Sequence, residues 1–200
     1  MDMTNYAHKI MIVAISLLCS ISMSAYDFEV DGYRYNIISV TDLTVEVVGT
    51  PIGRIATNKA LGIETTEEIT IPSTVDYSSR TFAVTQLGKS ALENGDVKSV
   101  ILPEGIKTIC ERAFYWCENL ELITIPSTLE QVDGMAFGLC SKLKEVHISD
   151  LAAWCDITFD AYWGYDNSNP LMTAHNLYLN VHNGKHRGLR ITFSEKFAYL

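Results

Sequence analysis

Positive charge is scarce in this 200-residue chain: 15 Lys and Arg stand against 24 Asp and Glu, a formal net charge of −9. That balance argues against nucleic acid as a partner, because phosphates need Lys/Arg-rich surface. The balance reverses only near the C-terminus, where Lys185, Arg187, Arg190 and Lys196 face only Glu195. Long apolar runs are also lacking. Ile10–Leu18, interrupted by Ser16, is too short for a membrane span. No G-x-S-x-G elbow, H-E-x-x-H pair or phosphate loop occurs, so the usual hydrolase, metalloprotease and nucleotide chemistries have no carrier. His182 and His186 lie four apart without a Cys or carboxylate pair, and Asp160, Asp166 and Asn167 lack the spacing and glycine of a calcium loop. No enzyme, metal or cofactor is expected.

His8 and Lys9 precede that short apolar run, and small residues follow it up to Ala25. This is the pattern of a secretory signal peptide over residues 1–25, with a retained anchor as the alternative. Cys19 is no lipid-attachment site, since Leu18 stands where a small residue is needed. Secretion or cell-surface display is therefore expected, with no membrane span in the mature chain.

Beyond the leader the chain repeats itself. Lys98–Leu120, KSVILPEGIKTICERAFYWCENL, and Glu121–Leu143, ELITIPSTLEQVDGMAFGLCSKL, align without a gap as two 23-residue blocks. They share Pro103/Pro126, Ala113/Ala136, Phe114/Phe137, Cys117/Cys140 and Leu120/Leu143, and aliphatics recur at Val100/Ile123, Leu102/Ile125, Ile106/Leu129 and Ile109/Val132. A period of about 20–29 residues with fixed apolar columns marks a leucine-rich-repeat coil. Within a coil, Ile123 and Ile125 alternate with Leu122 and Thr124 as a strand with one buried face, and Pro126 stops it. Met135-Ala136-Phe137 then turns the chain back. One coil cannot bury its apolar face alone, so its neighbours must complete the core.

The flanks are less regular. Tyr26–Tyr35 alternates around Asp31-Gly32, a hairpin signal, and residues 26–66 read as a β-rich cap over the end of the stack. Residues 67–148 hold the repeats. The first is split by Asp76–Ala83, a hairpin expected to project from the coil, after which Leu87, Ala91 and Leu92 resume the columns. Val146 and Ile148 open a fourth coil. The repeat is expected to end there, with an interruption over 149–180. Residues 181–200 form a basic tail, either an improvised cap or the end of a truncated array. Cys117 and Cys140 share a column; stacked coils are close enough for a disulfide, but the apolar neighbours favour buried thiols.

The pattern I-x-I-P…A-F-x-x-C-x-x-L in the two clean blocks resembles the BspA-like leucine-rich repeats of bacterial surface proteins. So do YDFEVDGYRYNI after the leader and the Asp150–Cys155, Ser168–Pro170 and His175–Leu179 segments. The resemblance implies a β-rich leucine-rich-repeat solenoid, a right-handed superhelix of 23-residue coils with an N-terminal β cap. It also implies export and adhesion to a protein or host-matrix component.

Two candidate sites follow. Outward strand positions form two columns: Glu68, Ser99, Leu122 and Glu145, then Thr70, Ile101, Thr124 and His147. Ile101 and Leu122 make a small apolar spot ringed by polar groups, which suits a protein contact; scattered surface aliphatics are the plainer reading. The second candidate is Trp154 with Tyr162, Trp163 and Tyr165, aromatics that suit a glycan or, more plainly, cover the core. A structural or assembly role at the bacterial surface, without a soluble ligand, is the alternative function.

Overall fold

Two rows of short strands run along the stack, joined by turns, and the apolar columns lie between them. The computed structural model describes residues 26–52, 63–160, 168–179 and 189–192. The expected leader, His182 and His186 lie outside these.

The first row is a six-stranded sheet. It comprises β4 (Thr66–Thr70), β7 (Val97–Ile101), β9 (Leu122–Ile125), β11 (Glu145–Ile148), β13 (Asn176–Leu179) and β14 (Leu189–Thr192). Pairing is parallel from β4 to β13. The second row starts as antiparallel β1 (Phe28–Val30), β2 (Tyr33–Ser39) and β3 (Thr44–Gly49). It continues in parallel through β6 (Arg80–Leu87), β8 (Thr108–Ile109), β10 (Gln131–Val132) and β12 (Thr158–Phe159). Each coil thus contributes one strand per row, and the chain is a β-solenoid.

The repeated columns are the core. Ile123, Ile125, Leu129, Val132, Ala136, Phe137, Cys140 and Leu143 are all buried, as are their counterparts one coil earlier. The Phe114 and Phe137 rings stack 4.9 Å apart with planes 9° off parallel. Cys117 and Cys140 are free, buried thiols that donate to the Leu92 and Phe114 carbonyls at 3.1 and 3.2 Å. Desolvation pushes the Cys117 thiol up to about 12 and raises Cys140 too.

The return turn has a geometry that the apolar pattern alone does not reveal. Ser90, Arg112 and Met135 at one position, and Asn94, Trp116 and Leu139 at another, all have φ near +60°. These left-handed residues aim alternate amides along the stack, so Leu92, Phe114, Asn94 and Trp116 N–H groups donate to the next coil at 2.8–2.9 Å. Polar variable positions also join coils. Thr128 Oγ1 donates to the Ile106 carbonyl and accepts from Gly105 N–H, both at 2.9 Å, where Gly105 has φ +105°. Glu104 accepts from both the amide and the hydroxyl of Ser127 at 3.0 Å.

Two expectations need correction. The hairpin in the first coil, β5 (Thr74–Tyr77) with β6, does not project. Its turn residues Ser78 and Ser79 are left-handed, and Tyr77 stacks on Phe28 of β1 at 4.0 Å with Phe82 buried beside it. β6 lies between β3 and β8, so the insertion welds the cap to the stack. Nor does the ladder end at Ile148: β12 and β13 take the next place in each row. Between β11 and β12 lies α1 (Leu151–Cys155), capped by the Asp150 carboxylate, which accepts from Ala152 and Ala153 N–H. The short α2 (Leu171–Ala174) leads into β13. β14 then pairs antiparallel with β13, and Ile191 packs half-buried against the core.

Candidate functional site

The outward face of the six-stranded sheet is built by alternation. In β9 and β11 every second residue is buried, so the residues between them must face away from the core. The register sets Glu68 beside Ser99, Ser99 beside Leu122, and Leu122 beside Glu145. The second column runs Thr70, Ile101, Thr124, His147 through the same pairs. All eight positions expected from the sequence therefore share one face. Ile101 and Leu122 are diagonal neighbours on adjacent strands, half-buried, with Glu145 directly beside Leu122 and Thr124 directly beside Ile101.

The face extends one strand further than the repeat suggested. Tyr178 pairs with His147 in register, their rings 4.8 Å apart, and His147 Nε2 lies 2.8 Å from Glu145 Oε2. Glu145, His147 and Tyr178 thus form a connected polar and aromatic group beside the aliphatic spot. The signal for Tyr178 was the alternation in Asn176-Leu177-Tyr178-Leu179, with Leu177 buried. Asn176 confirms the stacking by donating from Nδ2 to the Lys144 carbonyl at 3.1 Å. Arg190 takes the register position beyond Tyr178.

A charged column borders the face. Glu67, Lys98, Glu121 and Lys144 follow one another along the strand starts with alternating sign. Lys98 holds Glu67 at 2.6 Å and Lys144 holds Glu121 at 2.9 Å. The hydrogen bond from Lys144, with its charge, lowers the Glu121 pKa, and the bond to Glu67, with its charge, raises that of Lys98. Next to this column a cleft of about 450 Å³ is lined by Glu64, Glu67, Asp96, Lys98 and Asn119 among others. Within it Asn119 donates to Asp96 at 2.8 Å, and Asn119 also accepts from Lys142 outside the cleft at 2.6 Å.

The aromatic candidate separates. Trp154 on α1 is buried, 9% exposed, with its ring 5.5 Å from Phe159. It belongs to the apolar core at the connection between β11 and β12 and offers no open stacking face. Tyr162, Trp163 and Tyr165 lie outside the described residues.

Comparison with known proteins agrees with this architecture. Among solved structures, a leucine-rich repeat protein from Bacteroides capillosus matches with a TM-score of 0.56 at 21% identity, over 76% of this chain and 97% of that one. A leucine rich cell surface protein from Faecalibacterium prausnitzii matches with a TM-score of 0.50 at 19% identity, over 78% and 43% of the two chains. A leucine-rich repeat protein from Bacteroides ovatus is 26% identical over 62% of this chain, with a TM-score of 0.49; the match spans 31% of that protein's length. No curated protein sequence matches the chain. The BspA type leucine rich repeat region matches residues 59–162 in six copies. With that repeat over more than half of its length, the chain belongs to the BspA-type leucine-rich-repeat family.

Proposed function

We propose that this is an exported, non-enzymatic binding protein of adhesin type whose outward strand face holds a protein partner such as a host-matrix component. The observation behind the reading is the fixed register that sets Ile101 and Leu122 beside Glu145, His147 and Tyr178 on a hydrogen-bonded sheet. An aliphatic centre with a polar and aromatic border is the composition of a protein contact. A rigid sheet also loses little conformational freedom on binding, which leaves more of the contact energy as affinity. Support for surface display comes from the family and from the Faecalibacterium cell surface protein of like fold.

The test is saturable binding of the chain to immobilised collagen, laminin and mucin, repeated with Ile101→Lys/Leu122→Lys. Lysine is chosen because Leu122 lies directly beside Glu145, where a carboxylate would repel and itself unsettle the sheet. Binding that disappears in the double variant, with its melting transition retained, supports the reading. Concentration-dependent self-association without capture of any of the three would instead support an assembly role at the surface.

A further inference from the structure

A different edge of the solenoid carries two exposed apolar side chains that folding does not explain. Trp116 and Leu139 occupy the same turn position in consecutive coils, 46% and 55% exposed, each with φ +62°. A left-handed backbone costs an ordinary L-residue about 1–2 kcal/mol, and glycine or asparagine avoids most of that. The coil before them has Asn94 at this position with φ +60°, so a suitable polar residue fits the same turn. Trp116 and Leu139 thus accept backbone strain and solvent exposure together, a combination that points to use of the side chains.

The ring of Trp116 is also held. Its indole N–H donates to the Glu118 carboxylate, and its backbone N–H donates to the Gly138 carbonyl at 2.8 Å. Tyr115 sits edge-on to Trp116 with ring centroids 6.3 Å apart, and lies so close to Gly138 that a Cβ there would meet its ring at 2.9 Å. The Arg112 guanidinium lies over Tyr115, 5.3 Å from its centroid. Leu139 follows one coil on, about 4.8 Å along the stack. The result is a fixed apolar ridge between a cation and a carboxylate.

Charge around the ridge selects among partners. Arg112 opposes a basic peptide, while Glu118, with Glu93 on the preceding coil, opposes an acidic one. Glu111 holds Lys89 at 2.8 Å and lies 3.8 Å from Arg112 Nε, so the two cations share one carboxylate and the group keeps a net positive charge beside Glu118. A neutral polyhydroxyl ligand fits both signs, since its hydroxyls donate to a carboxylate and accept from a guanidinium while its C–H face lies on the indole. We propose that the turn edge formed by Trp116, Leu139, Arg112 and Glu118 is a binding site for a neutral saccharide. It is separate from the strand face and does not depend on that face binding a protein.

The test is titration of the full chain with neutral hexasaccharides of glucose, mannose, xylose and N-acetylglucosamine, read by calorimetry. Hexalysine serves as the charged control. Trp116→Asn keeps the residue type that Asn94 shows the turn accepts, so the ridge is removed and the fold retained. At least one hexasaccharide should bind, with affinity about tenfold weaker in Trp116→Asn, equivalent to about 1.4 kcal/mol, and weaker also in Leu139→Asn and Glu118→Gln. Ile101→Lys/Leu122→Lys should bind saccharide unchanged. Failure of all four sugars to bind, binding that survives Trp116→Asn, or binding of hexalysine alone would overturn the proposal.

Discussion

The stacked Phe114 and Phe137 are the most direct mechanical link between two coils, and removing them has a calculable effect. Phe137 is 2% exposed and Phe114 is fully buried, so neither site has solvent into which a cavity can open. Phe137→Ala should destabilise by about 3–5 kcal/mol, from lost transfer energy and the cavity left behind. Phe114→Ala should cost a similar amount. Ring stacking adds about 0.5–1.5 kcal/mol beyond area, which only the pair possesses. The double variant should therefore be less destabilised than the two singles together by about 1 kcal/mol, outside the 0.3–0.5 kcal/mol within which distant sites add. Urea unfolding followed by circular dichroism gives all three values, and Phe137→Leu keeps the series measurable if alanine unfolds the chain. A cost below about 1.5 kcal/mol for Phe137→Ala would refute the stacked-column core, because that is less than its buried area alone provides.

Further outcomes follow from the same geometry. Burial raises Cys110 to about 11, Cys117 to about 12, and Cys140 as well, against an ordinary thiol value of 9.0. Above that value unfolded thiols lose protons that the folded ones keep, so stability should fall as pH rises from 9 towards 11, by at most about 1.4 kcal/mol per pH unit for each thiol. Urea titrations at pH 8, 9 and 10 measure this, and Cys117→Ser should flatten the slope. In native-state alkylation mapped by mass spectrometry, exposed Cys155 should label well before Cys117 and Cys140; equal rates would contradict the buried column. Lys98→Glu should lower the melting temperature by setting three carboxylates in a row at 67, 98 and 121, and added salt should recover much of the loss.

Much of this structure was legible because the repeat is strict where side chains are buried. Pro126, Ile123, Ile125, Phe137 and Cys140 had counterparts one coil earlier, and a period-2 strand leaves only one choice of outward residue. All eight strand-face positions followed from that. Tyr178 did not, because 149–180 abandons the 23-residue spacing while β13 still continues the ladder; spacing is a property of the connections, register one of the strands. The turn residues of the first coil read as a hairpin, but its attachment to Phe28 depends on a contact between residues 49 apart that no local pattern encodes. Trp154 was ambiguous for a related reason: an indole on a short helix reads alike whether the helix faces solvent or the core. The left-handed positions of Trp116 and Leu139 were hidden because neither residue is a type that signals such a turn.

The central claim is that binding takes place on the outward columns of the six-stranded sheet. A lysine scan of Ser99, Ile101, Leu122, Thr124 and Tyr178, against a control scan of exposed Asp76, Thr81 and Ser141, tests it most directly in the collagen, laminin and mucin assay. Affinity is expected to fall at Ile101, Leu122 and Tyr178 and to hold throughout the control scan. Affinity unchanged down both columns, or lost equally in the control positions, would contradict it.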